Sequence, residues 1–139
     1  MTNKFSSNSL KRLAECHPKL QMLFHEVIKH YDCTILCGYR TKEEQDEAVR
    51  LNRSKVSWPN SKHNKTPSLA IDVVPYPVDW DNTDRFFHFA GFVSGIAKIM
   101  SIPIRWGGDF NNDLNFKNDG FIDMPHIELI LEENDNANT

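Results

Sequence analysis

The chain has 139 residues and the composition of an ordinary globular domain. This length suits one domain with a single core, so we expect residues 1–139 to form one domain. Sixteen Lys and Arg against nineteen Asp and Glu give a net charge of −3, which offers no reason to expect nucleic acid or an anionic membrane as a partner. Charged residues interrupt every apolar stretch before the roughly 18 residues of a membrane span, and the amino terminus shows no signal peptide.

The first part of the chain predicts three helices and one strand. A short helix is expected over residues 9–16, and a longer one from Pro18 to about residue 31, where apolar residues recur at helical spacing. The segment 33–40 (CTILCGYR) reads as a strand. Thr41 and Glu44 form a capping-box pattern that opens a helix ending near Leu51.

The second part alternates strands with one long helix. A polar region, 52–68, leads into the apolar strand 69–76 (LAIDVVPY), which two prolines end. Asn82 or Thr83 can cap a helix over about 84–100, and 102–106 is a short strand. A polar loop, 107–119, precedes a final strand, 126–131, whose alternation places His126 and Glu128 on one face.

Helices and strands are interspersed in this order, which predicts an α+β domain with a small, mainly antiparallel sheet flanked by helices. The polar, acidic residues 132–139 are expected to fray. Cys16, Cys33 and Cys37 are odd in number and lack the paired spacing of a zinc knuckle. We therefore expect three buried, unpaired thiols rather than disulfides.

Asp72 is a carboxylate in an otherwise apolar strand, and an unpaired buried charge is too costly to retain. It requires a cation, an arginine partner or several backbone donors, and the strand pattern alone leaves these open. His63 precedes it by nine residues in a polar loop, and His126 begins the last strand. Two imidazoles and one carboxylate suit a zinc ion with an open coordination position.

Two motifs make the pattern more specific. Residues 61–63 (SKH) with 70–72 (AID), followed by 123–128 (DMPHIE), resemble the zinc peptidase family of D-alanyl-D-alanine carboxypeptidases and dipeptidases and phage L-alanyl-D-glutamate endolysins. The resemblance spans about residues 19–131 and includes 38–41 (GYRT), Gln45 and 105–109 (RWGGD). It implies zinc bound by His63, Asp72 and His126 beside the sheet, with a fourth position left for water.

The spacing of the first motif departs from the commoner form, S-x-H-x-x-G-x-A-x-D. The interval between His63 and Asp72 is two residues longer here, and no glycine lies within it. We interpret residues 64–68 as a loop insertion in which Pro67 supplies a fixed turn. The metal geometry is expected to survive, because the insertion leaves residues 70–72 in strand phase.

The resemblance also implies roles for two charged residues. Asp123 matches the family's catalytic carboxylate, which accepts a proton from the attacking water and then delivers it to the leaving amine. Its alternative is a loop-capping aspartate ahead of a strand. Arg40 matches a residue that holds a carbonyl or carboxylate oxygen of the substrate. Its alternative is a surface salt bridge at a helix start.

Three further residues are candidates for supporting roles. Ser61 and Gln45 are expected to contact substrate or to brace the loop. Glu128 is expected to orient the imidazole of His126, because strand alternation places the two side chains together.

The loop after residue 108 carries an oxygen-bearing side chain at every second position. This spacing predicts a loose calcium site, although Leu114 and Gly120 stand where an EF-hand has its glycine and its glutamate. A solvated turn-rich loop is the alternative. The candidate ligands are Asp109, Asn111, Asp113 and Asn115.

The leading functional hypothesis is a phage endolysin that cuts the peptide stem of bacterial peptidoglycan between L-alanine and D-glutamate. Without a signal peptide, such a protein is expected to accumulate as a monomer in the host cytoplasm and to reach the wall after the membrane is permeabilised. One alternative is a D-Ala-D-Ala carboxypeptidase or dipeptidase with the same zinc machinery. The other is a non-catalytic peptidoglycan-binding module with a structural zinc, against which Asp123 speaks.

Overall fold

A computed structural model describes residues 3–108 and 123–131 of the chain. A 3-10 turn over Lys62–Asn64 precedes the second strand. The described helices and strands occur in the order α1 (Ser7–Ala14), α2 (Pro18–Val27), β1 (Cys33–Cys37), α3 (Lys42–Arg50), β2 (Ala70–Pro75), α4 (Thr83–Ile99), β3 (Ile104–Trp106) and β4 (His126–Leu129). The predicted α+β class is confirmed.

The described strands form one sheet in the order β1-β2-β4-β3, and every neighbouring pair is antiparallel. Asp72 on β2 lies opposite His126 on β4 and, on its other side, opposite Cys37 on β1. The register of the central strands therefore brings a carboxylate and an imidazole from distant parts of the sequence to the same point of the sheet.

The predicted helical stripes are buried in one core with the sheet. Leu20, Leu23 and Phe24 on α2 are fully buried, and so is Val93 on α4. Each such side chain contributes roughly 1.5–3 kcal/mol through its removal from water. These side chains belong to the same core cluster as Ile71 on β2 and Ile127 on β4, and α4 contacts both β2 and β3. Among the described residues, no helix combines the length and apolar character needed to cross a membrane.

Several elements end earlier than their patterns predicted. The helix from Pro18 ends at Val27 rather than near residue 31, and the Val27 carbonyl accepts hydrogen bonds from the backbone of both His30 and Tyr31 in the following turn. Strand β1 ends at Cys37 rather than near residue 40, two residues after a register shift that follows Ile35. The apolar pattern therefore overestimated the length of both elements.

All three cysteines are free, as predicted, but only two are buried. Burial raises the pKa of Cys16 and of Cys33 to about 12, which keeps both as unreactive thiols. The prediction was wrong for Cys37, which is half-buried and lines the cleft described below. It is the last residue of an edge strand and follows the register shift in β1.

Candidate metal centre and active site

Three candidate ligand atoms meet where the 3-10 turn adjoins the two central strands. His63 Nε2 lies 3.2 Å from Asp72 Oδ1, and His126 Nδ1 lies 3.5 Å from the same oxygen. His63 is 1% exposed and His126 8% exposed. The structure therefore brings together the three residues that the sequence predicted as metal ligands.

The outer nitrogen of each imidazole is fixed by a hydrogen bond. His63 Nδ1–H donates to the Gly38 carbonyl at 2.8 Å, because a carbonyl oxygen can only accept. His126 Nε2–H donates to Glu128 Oε1 at 2.9 Å, and the other Glu128 oxygen lies 3.3 Å from the guanidinium of Arg105. Each ring therefore turns its other nitrogen towards Asp72. Metal-binding histidines are commonly oriented in this way, by a hydrogen bond from the N–H that faces away from the metal. Two imidazole nitrogens and one carboxylate oxygen held in this orientation fit a zinc ion.

Charge pairing strongly perturbs the three groups. Burial opposes ionisation of Asp72, yet His63 and His126 outweigh it and hold the pKa of that carboxyl far below its ordinary value. Burial likewise opposes protonation of His63, but Asp72 raises the pKa of the imidazole to about 10. The pKa of His126 is also raised, because hydrogen bonds to Asp72 and Glu128 overcome its burial.

A small capping box holds His63 in place. Ser61 Oγ accepts a hydrogen bond from the His63 backbone N–H at 3.2 Å, and Asn64 Oδ1 accepts one from the Ser61 N–H at 3.1 Å. Ser61 is 7% exposed and borders the cleft. Its observed contacts thus brace the turn, which was one of its two predicted roles. Asn64 was missed, because it occupies the position at which the usual capping-box pattern has Glu or Gln.

Arg40 is an interior ion-pair partner rather than the surface salt bridge that was its alternative. Its guanidinium donates to Asp72 Oδ2 at 3.3 Å and to Gln45 Oε1 at 2.9 Å, and its side chain is 15% exposed. The arginine partner considered for Asp72 is therefore present in addition to the two imidazoles. Arg40 also borders the cleft, which has two cavities that are described below.

Gln45 is fully buried and its observed contacts brace the loop, which was one of its two predicted roles. Its oxygen accepts from Arg40 and from Asn64, while its amide donates to Ser54 Oγ at 3.0 Å and to the Val56 carbonyl at 2.6 Å. The sequence could not distinguish contact from bracing, because burial of α3 against the loop is a tertiary property. The structure makes Gln45 a positioning residue for Arg40 and the loop.

Asp123 lies beside two of the candidate ligands, Asp72 and His126. Its carboxylate, one Asp72 oxygen and one His126 nitrogen all lie within 4.8 Å of one another. Burial first, and the charge of Asp72 second, raise the pKa of Asp123 from 3.8 to about 6. A carboxyl with such a pKa can both accept and release protons near neutral pH.

Cys37 was not predicted to belong to the site. Its Sγ lies 3.8 Å from His63 Nδ1, and Cys37, His63 and Asp72 form a second group with ligand atoms within 4.8 Å. No local sequence signal marks it, because its position depends on the pairing of β1 with β2.

The site opens into a two-part cleft. One cavity has a volume of about 1060 Å³ and the other about 480 Å³, and both are bordered by Arg40, Arg53 and Asp123.

The predicted calcium ligands Asp109, Asn111, Asp113 and Asn115 lie outside the described residues, as does the predicted frayed tail 132–139. Calcium binding therefore stays a sequence prediction.

Known proteins resemble this chain over nearly its whole length. The family model for phage L-alanyl-D-glutamate peptidase matches residues 1–130. The L-alanyl-D-glutamate peptidase of Escherichia phage T5 is 30% identical over 138 residues, covering 94% of this chain and all of that protein. The crystal structure of the Serratia marcescens L-Ala D-Glu endopeptidase ChiX matches with a TM-score of 0.69 and 26% identity, covering 92% of this chain and 91% of that one.

These matches cover nearly the whole chain. The protein belongs to the phage L-alanyl-D-glutamate peptidase family. The resemblance inferred from the two histidine motifs is confirmed.

Proposed function

We propose that this chain is a zinc-dependent phage endolysin that hydrolyses the L-alanyl–D-glutamate bond in the peptide stem of bacterial peptidoglycan. The observation that carries the proposal is the convergence of His63, Asp72 and His126, with Asp123 beside them in an open cleft. The named activities of the phage T5 and Serratia marcescens relatives support the choice of bond.

His63 Nε2, Asp72 and His126 Nδ1 would hold the metal ion. Zinc would supply Lewis-acid activation of water and of the scissile carbonyl. Glu128 and the Gly38 carbonyl keep both imidazoles in the tautomer that presents a lone pair to the ion. The half-exposed rim at Asp123 leaves room for substrate, in contrast to a structural site closed by a fourth protein ligand.

Asp123 is the proton carrier in this proposal. It accepts a proton from the attacking water and delivers it to the amine of D-glutamate as the peptide bond breaks. Arg40 borders both cavities beside Asp123 and stabilises the negative charge that develops on the carbonyl oxygen. Its hydrogen bond to Gln45 keeps the guanidinium in place before substrate arrives.

Mass spectrometry of purified peptidoglycan after digestion tests the proposal. Zinc-loaded protein is compared with chelator-treated protein and with Asp123→Ala. We expect new amino-terminal D-glutamate on released stems, lost in both controls. Release of only terminal D-alanine would make the chain a carboxypeptidase, and no product from folded, zinc-loaded protein would favour a binding module.

We also propose an oligomeric state and a location for the protein. It is a monomeric single domain, residues 1–139, that accumulates in the host cytoplasm and acts on the wall once the membrane is permeabilised. The three free thiols support a reducing compartment. Light scattering after size-exclusion chromatography measures the mass, and fractionation of infected cells before lysis measures the location.

A further inference from the structure

The two cavities of the cleft differ in charge. The described residues bordering the larger one include Glu43, Glu44 and Glu47, all on the exposed side of α3. Those bordering the smaller one include Lys55 and Lys62. Among the described residues, the lining of the larger cavity is therefore mainly acidic and that of the smaller cavity mainly basic.

Basic residues outnumber acidic ones, four to two, in the described lining of the smaller cavity. The acidic residues are Asp123 and Glu128, and Glu128 is paired with His126 and Arg105. The basic residues are Lys55 and Lys62 together with Arg40 and Arg53, which border both cavities. The smaller cavity thus suits a ligand that carries negative charge.

The bond in the proposed function divides a substrate whose two sides differ in charge. A D-glutamyl residue that is linked onward through one carboxyl retains the other as a free carboxylate, and this residue lies on the leaving-amine side. The alanyl side ends in an amide and carries no carboxylate near the bond. Three glutamates would repel the D-glutamyl carboxylate from the larger cavity.

We infer that the stem binds in one direction, with the D-glutamyl side in the smaller cavity and its free carboxylate recognised by Lys55 and Lys62. This inference rests on the proposed function and adds a specificity determinant to it. It makes the free carboxylate, rather than the peptide backbone alone, part of what the enzyme selects.

A pair of soluble stem peptides tests the inference. The two peptides are identical except that the D-glutamyl carboxylate is free in one and a carboxamide in the other. We expect wild-type zinc-loaded protein to prefer the free acid in kcat/KM. The double variant Lys55→Glu, Lys62→Gln should reduce this preference by about tenfold, because charge pairs across a cleft tune specificity.

Matched variants separate a local effect from a change in net charge. Lys65→Glu alters an exposed lysine of the same loop that borders neither cavity, and its preference should stay within about twofold of wild type. Glu43→Lys on the acidic side should leave the preference for the free acid in place. Zinc content and circular dichroism are measured for every variant.

An unchanged preference in the folded, zinc-loaded double variant would overturn the inference. A preference lost in Glu43→Lys but kept in the double variant would also overturn it, by reversing the direction of binding. Wild-type protein that is folded, loaded with zinc and cleaves neither peptide would overturn the proposed function, and the inference with it.

Discussion

Gly107 lies so close to Asp123 that no side chain fits between them. The Gly107 carbonyl accepts a hydrogen bond from the Asp123 N–H at 2.8 Å, and a Cβ at position 107 would lie 1.9 Å from the Asp123 carbonyl oxygen. The Gly107 N–H donates to the His126 carbonyl at 2.7 Å. One glycine at the end of β3 therefore sets the backbone position of both the proposed proton carrier and a proposed metal ligand.

Gly107→Ala is expected to displace Asp123 and to reduce kcat by more than about tenfold, because small errors in the position of a catalytic group are costly. Stability should fall by about 1–3 kcal/mol, as for other overpacked sites. Gly95→Ala in α4 is the control, since nothing lies within 4 Å of its added Cβ. It should stabilise the helix by about 0.5–1 kcal/mol. Equal melting temperatures for the two variants would contradict this account.

Gln45→Ala is expected to weaken both the fold and substrate turnover. The change leaves the buried donors of Arg40 and Asn64 and the Val56 carbonyl without the amide that they contact. An unsatisfied buried group costs about 1–3 kcal/mol, which urea unfolding would measure. Because Gln45 acts through Arg40, kcat should fall while zinc affinity is kept, and Gln45→Glu should recover part of the turnover. Loss of zinc affinity equal to the loss of turnover would argue against a positioning role.

Asp123→Asn should stabilise the metal-free protein at high pH but not at low pH. The pKa of Asp123 rises from 3.8 to about 6 on folding, so the folded chain binds more protons than the unfolded chain between these values. Stability conferred by the protonated carboxyl is then lost as the pH rises through about 6. The asparagine variant avoids this loss, which amounts to about 1–3 kcal/mol. Thermal melts of both proteins at pH 4 and pH 8 measure it; a constant difference would disprove the shift.

Zinc binding should release protons at neutral pH. The pKa of His63 is raised to about 10 and that of His126 is also raised, so metal-free protein holds at least one proton that a zinc ion must displace. Calorimetric titrations in buffers of different ionisation enthalpy should give different binding enthalpies at pH 7. The affinity should also increase with pH. Buffer-independent enthalpies would show that the imidazoles are already neutral.

Thiol chemistry should distinguish Cys37 from the other cysteines. Cys16 and Cys33 are buried with pKa values of about 12, whereas Cys37 borders the cleft. One thiol should react with iodoacetamide in the folded protein and three in denaturant. Peptide mapping should place the label on Cys37, and Cys37→Ser should abolish the rapid phase. Labelling of Cys16 in folded protein would contradict the described burial.

The sequence by itself determined the order of helices and strands, because apolar spacing and capping residues act within a few positions of the chain. Thr41 and Glu44 form the predicted capping box, and the stripe of α2 is the buried stripe. Asp72 was identifiable because a carboxylate in an apolar strand violates the pattern around it. Its grouping with His63 and His126 required the family resemblance, since their separation in the chain says nothing about register.

The tertiary structure alone decided what each side chain contacts. Pairing of β2 with β4 places Asp72 opposite His126, and packing of α3 against the loop buries Gln45. Pairing of β1 with β2 brings Cys37 to the cleft, and the approach of β3 to residue 123 reserves position 107 for glycine. These contacts join residues far apart in the chain. Their energies depend on distance and burial in the folded state, which local sequence patterns do not encode.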